Sequence, residues 1–323
     1  MNKLLGTVLT SALTISLLAG CGTSTSSKKK VGIIQFMDHT SLNEIKDSFD
    51  KEMKTLGYDD KNIEYTFKNG QGDTNTCASI ANDFAGKNFD CVMAIATPAA
   101  QAVAKLATKT PVVFSAVTDP VGAQLTSSLS KPDKNITGTS DEVQVDQIID
   151  KALEINPNTK TIGMLYNKGE ANSVTNIKKA KAYCAKKNIK IEEATIASVN
   201  EAQSAVNVLN SKCDAIFAPN DNTVASAMNV VSDACKKANK PLYVGADSMV
   251  KDGGFLSVGI DYKELGKETA KIVDKILKGN KVENIPVKVF KTNLKIYVNT
   301  TTKDKLGIKL PENIINDSKY TEI

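Results

Sequence analysis

Short apolar runs alternate with helical stretches along most of the chain. Residues 90–119 give the clearest example: an apolar run, a polar turn, an Ala-rich helical stretch and a second apolar run. The same plan recurs at residues 214–248. Each copy ends in an acid just past its second apolar run, Asp119 in one and Asp247 in the other. Two similar units with polar ends predict a cleft between two lobes.

The alternation of strands and helices predicts the fold class. Residues 31–36 form a continuous apolar run of the kind that is buried in parallel sheets. Residues 161–167 restart the pattern, with Gly163 in the place of Gly32. Strand and helix alternating twice over predict an α/β protein with two Rossmann-like, doubly wound lobes.

Two segments show no clear strand or helix pattern. Residues 138–143, GTSDEV, are expected to connect into a helix that ends near Ile155. The Lys-rich tail after residue 298 is expected to lie on the surface.

Composition indicates a globular protein and argues against a nucleic-acid partner. The 323 residues are enough for two domains, and 24% charged with 41% hydrophobic residues is typical of a folded chain. The net charge of +5 is mild, and all 41 basic residues are Lys. The sequence therefore has no Arg, the residue whose planar guanidinium binds carboxylate, phosphate and guanine through two parallel hydrogen bonds. Any bound anion must therefore be held by backbone N–H groups, hydroxyls or Lys.

The N-terminus has the pattern of an exported lipoprotein. Residues 1–20 are expected to be a signal peptide, because a short basic start precedes an apolar run too short for a membrane span. Residues 18–21, LAGC, match a lipobox, so Cys21 is the expected lipidation site. Residues 21–30 would then tether the protein to the outer face of the cell membrane. The alternative is a plain signal peptide with an incidental Cys.

Catalytic and metal-binding motifs are absent from the sequence. It contains no GxSxG, HExxH, P-loop or CxxC pattern, and its only histidine is His39. We therefore expect no enzyme activity, no cofactor and no metal. The other five cysteines are an odd number, and a Cys184–Cys235 bridge stays open at this stage.

Six segments resemble one known family: ATPAAQAVA, PVVFSAVTDPVGA, NITGTSD, GMLYNKGEANS, PNDNTVASA and GIDYKELGKETAKI. The family is that of the ABC-transporter substrate-binding lipoproteins of the tryptophan/tyrosine-binding type, which have the type I periplasmic-binding-protein fold. The resemblance covers Val31 to about Pro311. It implies a monomer that captures a free amino acid and meets separate permease and ATPase subunits.

The resemblance also implies three hinge crossovers between the lobes. They would fall near residues 138–142, 258–262 and 288–293. The first lobe would then comprise residues 31–140 plus about 262–290. The second would comprise residues 141–261 plus about 291–323.

An amino-acid ligand needs partners for its carboxylate, its ammonium and its side chain. Thr97 as N-cap and Pro98 as the first helical residue would leave N–H groups free for the carboxylate, and Asn222–Thr223 would do the same. The ammonium would meet Asp221, Asp247 or Glu170. The complete set of expected ligand-binding residues is Gln35, Phe36, His39, Thr97, Pro98, Ala99, Ser115, Val117, Tyr166, Glu170, Asn172, Ser173, Asn220, Asp221, Asn222, Thr223 and Asp247.

Simpler roles stay open for several of these residues. Asp221 and Asn222 are also suitable as caps of the following helix, Glu170 as a solvated loop charge, and His39 as a surface residue. Phe36 and Tyr166 lie near strand ends, where they could stack on an aromatic ligand. Phe114 and Phe217 lie inside strands, which favours core packing for both.

The sequence thus predicts a membrane-tethered receptor for an aromatic amino acid, tyrosine or tryptophan. The alternative is a surface adhesin or signalling lipoprotein that contacts its partner through an exposed Lys-rich face. The two roles are compatible in one protein.

Overall fold

The structure is a computed structural model that describes residues 28–323. The expected signal peptide and the lipidation site Cys21 lie outside the described residues. Between residues 28 and 323, no helix has both the length and the apolar character needed to cross a bilayer.

Thirteen strands in the described chain form two sheets. The first sheet contains β1 (Lys29–Gln35), β2 (Ile63–Asn69), β3 (Cys91–Ile95), β4 (Val112–Ser115), β5 (Ile136–Ser140) and β11 (Lys288–Val289). The second contains β6 (Thr161–Tyr166), β7 (Lys190–Thr195), β8 (Ala215–Ala218), β9 (Leu242–Val244), β10 (Leu256–Gly259), β12 (Lys295–Val298) and β13 (Tyr320–Glu322).

Helices separate most of these strands. In chain order they are α1 (Thr40–Thr55), α2 (Thr74–Ala85), α3 (Thr97–Val103), α4 (Val145–Ile155), α5 (Ala171–Lys186), α6 (Ala202–Asn210), α7 (Asn222–Ser226), α8 (Met228–Lys237), α9 (Asp247–Lys251), α10 (Tyr262–Leu277), α11 (Thr300–Lys305) and α12 (Glu312–Ile315). Short 3-10 turns lie at Ala104–Thr108, Val199–Glu201 and Val282–Asn284.

The two sheets share one strand order, which confirms the predicted fold class. The first runs β11-β5-β4-β3-β1-β2 and the second β13-β12-β10-β9-β8-β6-β7. Both therefore contain the doubly wound order 2-1-3-4-5, with the order reversing beside β1 and beside β6. The pairs are parallel except for β10 with β12. The carboxyl ends of the strands beside these reversals are where such sheets bind ligands.

The chain crosses between the two sheets three times. It leaves the first sheet after β5, returns between β10 and α10, and leaves again between β11 and β12. Helix α10 follows the second crossing and packs on α1 of the first lobe. That these crossings work as hinges stays a prediction.

One local expectation was wrong. Residues 136–140 form the buried strand β5, although the sequence favoured a connection there. Its polar side chains are satisfied inside the protein, because the Thr139 hydroxyl bonds Thr269 and the Thr137 hydroxyl donates to the carbonyl of Ile285. The tail after residue 298 lies mostly at the surface and adds the edge strand β13 beside β12, and the helical residues after β8 are divided into α7 and α8.

The five cysteines within the described chain are all free and buried. Cys184 and Cys235 therefore do not form the bridge that the sequence left open. Burial raises the pKa of the Cys184 thiol to about 11 and that of Cys235 to about 12. Both behave as small apolar core residues.

Gly266 allows α10 to approach α1 closely. A methyl group at this position would overlap the hydroxyl of Ser48 and the carbonyl oxygen of Ile45. The contact matters for the cleft, because α1 begins beside His39 and α10 begins at Tyr262.

We expect Gly266→Ala to lower the free energy of unfolding in urea by about 2 kcal/mol, because a backbone oxygen cannot move aside for the methyl group. This loss outweighs the gain of about 1 kcal/mol from placing Ala in a helix interior. Gly259→Ala is the control, since no heavy atom lies near its added methyl. Equal stability of the two variants would contradict the close approach of α10 to α1.

Candidate functional site

A small cavity lies between the two lobes, beyond the carboxyl ends of their strands. Its volume in this closed form is about 10 Å³, room for about one water molecule, so a larger ligand can enter only when the lobes move apart. The lining residues are His39, Ser41, Leu42, Ala116, Asp141, Asn172, Asn220, Asn222, Ala225, Met249 and Tyr262. Both lobes contribute, which is the arrangement expected of a binding cleft.

Direct hydrogen bonds between the lobes close the cavity. His39 Nε2 lies 3.1 Å from Asn222 Oδ1, and the hydroxyls of Ser41 and Ser248 lie 2.5 Å apart. Asn220 Nδ2 donates to Thr118 Oγ1 at 2.8 Å. Each pair joins a residue that follows a strand of the first sheet to one that follows a strand of the second. The structure is therefore a closed form of the protein.

Asp141 supplies the one ionisable acid among the lining residues that the structure describes. It follows β5 directly and is only 6% exposed. Its carboxylate accepts bonds from Thr118 Oγ1 (3.0 Å), Asn220 Nδ2 (2.6 Å) and Tyr262 Oη (2.7 Å). Burial raises the pKa of Asp141, and the three donors act against that rise. The cavity thus contains a partly compensated negative charge that suits a cationic group.

Glu170 does not face the cavity as a free acceptor. It is 2% exposed, and its carboxylate accepts from the backbone N–H groups of Asn222 (3.1 Å) and Thr223 (3.0 Å). Negative charge is favoured at this helix start, so Glu170 already occupies the anion position of α7. Burial and the nearby Asp221 raise the pKa of Glu170. In this closed form Glu170 takes the two N–H groups that were expected to bind the ligand carboxylate at Asn222–Thr223.

Asp221 is the N-cap of α7, as the simpler interpretation of the sequence allowed. One carboxylate oxygen accepts from Val224 N at 2.8 Å. The other accepts from Asn167 N and from the Ser173 hydroxyl, both at 2.6 Å. These bonds fix the turn that carries Asn220 and Asn222 and leave no free carboxylate oxygen for a ligand.

Asp247 belongs to an ion pair between the lobes and does not line the cavity. Lys251 Nζ lies 2.8 Å from Asp247 Oδ2 and 2.9 Å from Glu44 Oε1 of α1. Burial raises the pKa of Asp247 to about 6, and the Lys251 ammonium acts against that rise. In this closed form Asp247 is paired with Lys251 and does not line the cavity, so its expected role as ammonium acceptor stays a prediction.

The structure brings four of the expected ligand-binding residues to the cavity: His39, Asn172, Asn220 and Asn222. Twelve others are buried and do not line the cavity: Gln35, Phe36, Thr97, Pro98, Ala99, Ser115, Val117, Glu170, Ser173, Asp221, Thr223 and Asp247. Tyr166 does not line the cavity, and its hydroxyl donates to Glu193 on β7, the edge strand of the second sheet. Phe36 is a core residue.

The start of α3 differs from the expectation. Ala96 is the N-cap, and Thr97 is the first helical residue with its buried hydroxyl unpartnered. Ala96 has φ of 80° and Ala116, which follows β4, has φ of 56°. A left-handed backbone at a non-glycine residue costs about 1–3 kcal/mol and is typical of binding sites. Both strained residues lie at the cleft end of the first sheet.

Sequence reasoning missed Asp141, Ser41, Met249 and Tyr262. Asp141 follows a strand directly, and the same feature had drawn attention to Asp119 and Asp247 in the sequence. It was overlooked because the strand before it, ITGTS, has almost no apolar residues. Tyr262 was missed because it begins a helix directly after the second crossing between the sheets.

A larger groove of about 600 Å³ lies at the opposite end of the first sheet. Lys29, Asp90, Pro111 and Asn135 line it, and each lies at or just before the amino end of a strand. Ligands of doubly wound sheets bind at the carboxyl ends. The groove is therefore not the candidate site.

Two α/β lobes that close over a small polar cavity define a solute-binding protein. The family model for ABC transporter substrate binding proteins matches residues 30–321, and the chain belongs to this family. Its members work outside the cytoplasm. The resemblance noted in the sequence is thereby confirmed.

Similar proteins include a curated relative and two solved structures. The chain is 32% identical to a tyrosine-binding protein from Clostridioides difficile, over 95% of this chain and 93% of the relative. It is 38% identical to an ABC domain from Streptococcus pneumoniae in complex with L-Trp, with TM-score 0.87 and coverage of 92% and 100%. A ligand-free, open substrate-binding protein with adhesive properties from Clostridium difficile is 34% identical, with TM-score 0.68 and coverage of 91% and 99%.

The lower TM-score to the open structure agrees with the closed cleft. Sequence identity is nearly the same for the L-Trp complex and the open structure, whereas the TM-score is higher for the L-Trp complex. This agrees with the direct hydrogen bonds between the lobes.

We expect Lys251→Met to shift the protein without ligand toward an open form and to weaken ligand affinity about fivefold. The lost pair joins the lobes, and its partly exposed ends limit its contribution to about 1 kcal/mol. The radius of gyration in X-ray scattering should rise. Lys236→Met is the control, because Lys236 pairs with Asp233 on the same helix. An unchanged radius of gyration for Lys251→Met would contradict a closing role for this ion pair.

Proposed function

We propose that the cavity binds a free aromatic amino acid, tyrosine or tryptophan, and that the protein delivers it to an ABC permease and its ATPase without chemical turnover. The observation that carries the proposal is Asp141, a buried carboxylate in a cavity that has a tyrosine ring in its wall. The tyrosine-binding and L-Trp-bound relatives support the same ligand class.

Asp141 would receive the ammonium group of the ligand. Charge-assisted bonds to a carboxylate are stronger than neutral ones. In the closed form the carboxylate is held by neutral donors from Thr118, Asn220 and Tyr262. An ammonium that replaces one of them would pair the buried charge and lower the pKa of Asp141 again.

The ligand side chain would pack on the apolar part of the lining. Leu42 belongs to the first lobe, Ala225 and Met249 belong to the second, and the Tyr262 ring lies at the hinge crossing. A flexible thioether and an aromatic ring both make favourable contacts with a second ring. This wall favours an aromatic side chain over a charged one.

The ligand carboxylate would accept a hydrogen bond from Ser41. The hydroxyls of Ser41 and Ser248 carry two hydrogens, and the bond between them uses one. If Ser248 donates to Ser41, the Ser41 hydrogen is free for the ligand. This arrangement binds an anion without Arg.

We expect Asp141→Asn to weaken the binding of tyrosine and tryptophan at least about 100-fold in calorimetric titration, because it removes one partner of a buried charge pair. Glu142→Gln is the matched control, since Glu142 pairs with Lys179 away from the cavity. Both variants should remain folded by circular dichroism. Unchanged affinity in Asp141→Asn would contradict the proposed ammonium site.

We propose adhesion as a second role, since one structural relative is described as having adhesive properties. Adhesion would use the outer surface and not the cavity. Asp141→Asn should then lose ligand binding and keep any adhesion. Loss of both would argue against separate surfaces.

We also propose that Cys21 anchors the mature protein to the outer face of the membrane. Cys21→Ser should release the protein from the membrane fraction, because the thiol that carries the lipid is lost. Ser24→Ala, in the same tether, should stay in that fraction. Detergent partitioning of cell extracts measures both, and membrane retention of Cys21→Ser would contradict the proposal.

A further inference from the structure

We propose that His39 determines ligand specificity, with its Nδ1 accepting a hydrogen bond from a donor on the ligand side chain. The site would then select an aromatic amino acid that carries a phenol hydroxyl or an indole N–H over phenylalanine. This inference rests on the proposed function, because it concerns the ligand of the same cavity.

Glu170 fixes the orientation of the Asn222 side chain. Its Nδ2 donates to Glu170 Oε2 at 2.5 Å, and its backbone N–H donates to the same oxygen at 3.1 Å. Glu170 accepts further bonds from Thr223 N and Thr223 Oγ1 at its other oxygen. A carboxylate surrounded by donors fixes the amide nitrogen of Asn222 on its side. Asn222 Oδ1 must therefore point away from Glu170, toward His39.

The tautomer of His39 follows from this orientation. Asn222 Oδ1 can only accept, so His39 Nε2, 3.1 Å away, must carry the hydrogen of this bond. A neutral imidazole carries one hydrogen, which leaves Nδ1 as an acceptor. Burial lowers the pKa of His39 to about 4, although its bond to Asn222 acts against the shift. The ring is therefore neutral near pH 7.

His39 Nδ1 has no partner of its own. The atom is shielded from solvent and has no hydrogen-bond donor within the described residues. His39 lines the cavity, so a bound ligand is the available source of a donor. A buried acceptor without a donor is unfavourable, and a ligand that supplies the donor removes this cost.

The donor on the ligand is assigned by charge. The ammonium is a better partner for the Asp141 carboxylate, which already accepts three hydrogen bonds, than for a neutral imidazole. The donor left for His39 is then on the side chain, where tyrosine has a hydroxyl and tryptophan an indole N–H. Phenylalanine has the same apolar ring and no donor. A site built to bond such a group rejects the analogue that lacks it.

Calorimetric titration of the wild-type protein with tyrosine, tryptophan and phenylalanine at pH 7.5 tests the inference. We expect at least one of the two donor-bearing ligands to bind about 10- to 100-fold more tightly than phenylalanine. Equal affinities for all three would overturn the role of His39 and leave the proposed function standing. Failure of all three to bind would overturn the proposed function and this inference with it.

Two variants distinguish the roles of the two ring nitrogens of His39. The glutamine side chain of His39→Gln reaches as far as Nε2 and can still donate to Asn222, but it leaves no acceptor at the Nδ1 position. The side chain of His39→Asn is shorter and keeps an acceptor near Nδ1.

We expect His39→Gln to bind phenylalanine as the wild type does and to lose most of its preference for the donor-bearing ligand, whereas His39→Asn keeps part of that preference. Wild-type-like preference in His39→Gln would overturn the inference. So would equal weakening of all three ligands, because Nδ1 would then serve closure or the ammonium. Phenylalanine binding also shows that each variant is folded.

Discussion

The requirement that buried polar groups be hydrogen bonded governs the closed cleft. Asp141 is a buried carboxylate, and its three donors come from different parts of the chain: Thr118 after β4, Asn220 after β8 and Tyr262 at the start of α10. An unpaired buried charge would cost several kcal/mol. Closing the lobes thus satisfies this charge, and opening them exposes it to water. The same residue connects the fold to the proposed chemistry, because an ammonium is a better partner than any of the three neutral groups.

Closure is best described as an equilibrium that the ligand shifts. The closed form contains the interlobe bonds of His39, Ser41 and Asn220 and the Lys251–Glu44 pair. A ligand can favour the closed form only through contacts that it makes there and not in the open form. Asp141, Ser41 and His39 Nδ1 would provide such contacts. A ligand can touch all three at once only when the lobes have come together. The interlobe contacts outside the cavity determine the equilibrium between the open and closed forms, and the ligand then shifts this equilibrium.

The sequence predicted the architecture well because doubly wound sheets leave strong apolar runs. It predicted the side of the sheets that carries the cavity, since this follows from topology alone. It did not predict which acids face the ligand. Glu170, Asp221 and Asp247 all lie near strand ends, but helix starts and Lys251 satisfy their charges. Sequence position gives the end of a strand, whereas the direction of a side chain depends on partners distant in the chain. Asp141 was missed because the strand before it, β5, is buried with mostly hydroxyl side chains. A strand of this kind shows no hydrophobic pattern in the sequence.

The central claim is that the cleft is a receptor site for an aromatic amino acid. A thermal-shift screen of the protein lacking residues 1–27, against the twenty amino acids with nucleosides and sugars, tests it most directly. A ligand at 100 times its dissociation constant adds about 2.7 kcal/mol of stability, which is a clear rise in melting temperature. We expect this rise with tyrosine or tryptophan and none with sugars or nucleosides. A rise with a sugar or nucleoside alone, or with no compound when the protein is free of co-purified ligand, would contradict it.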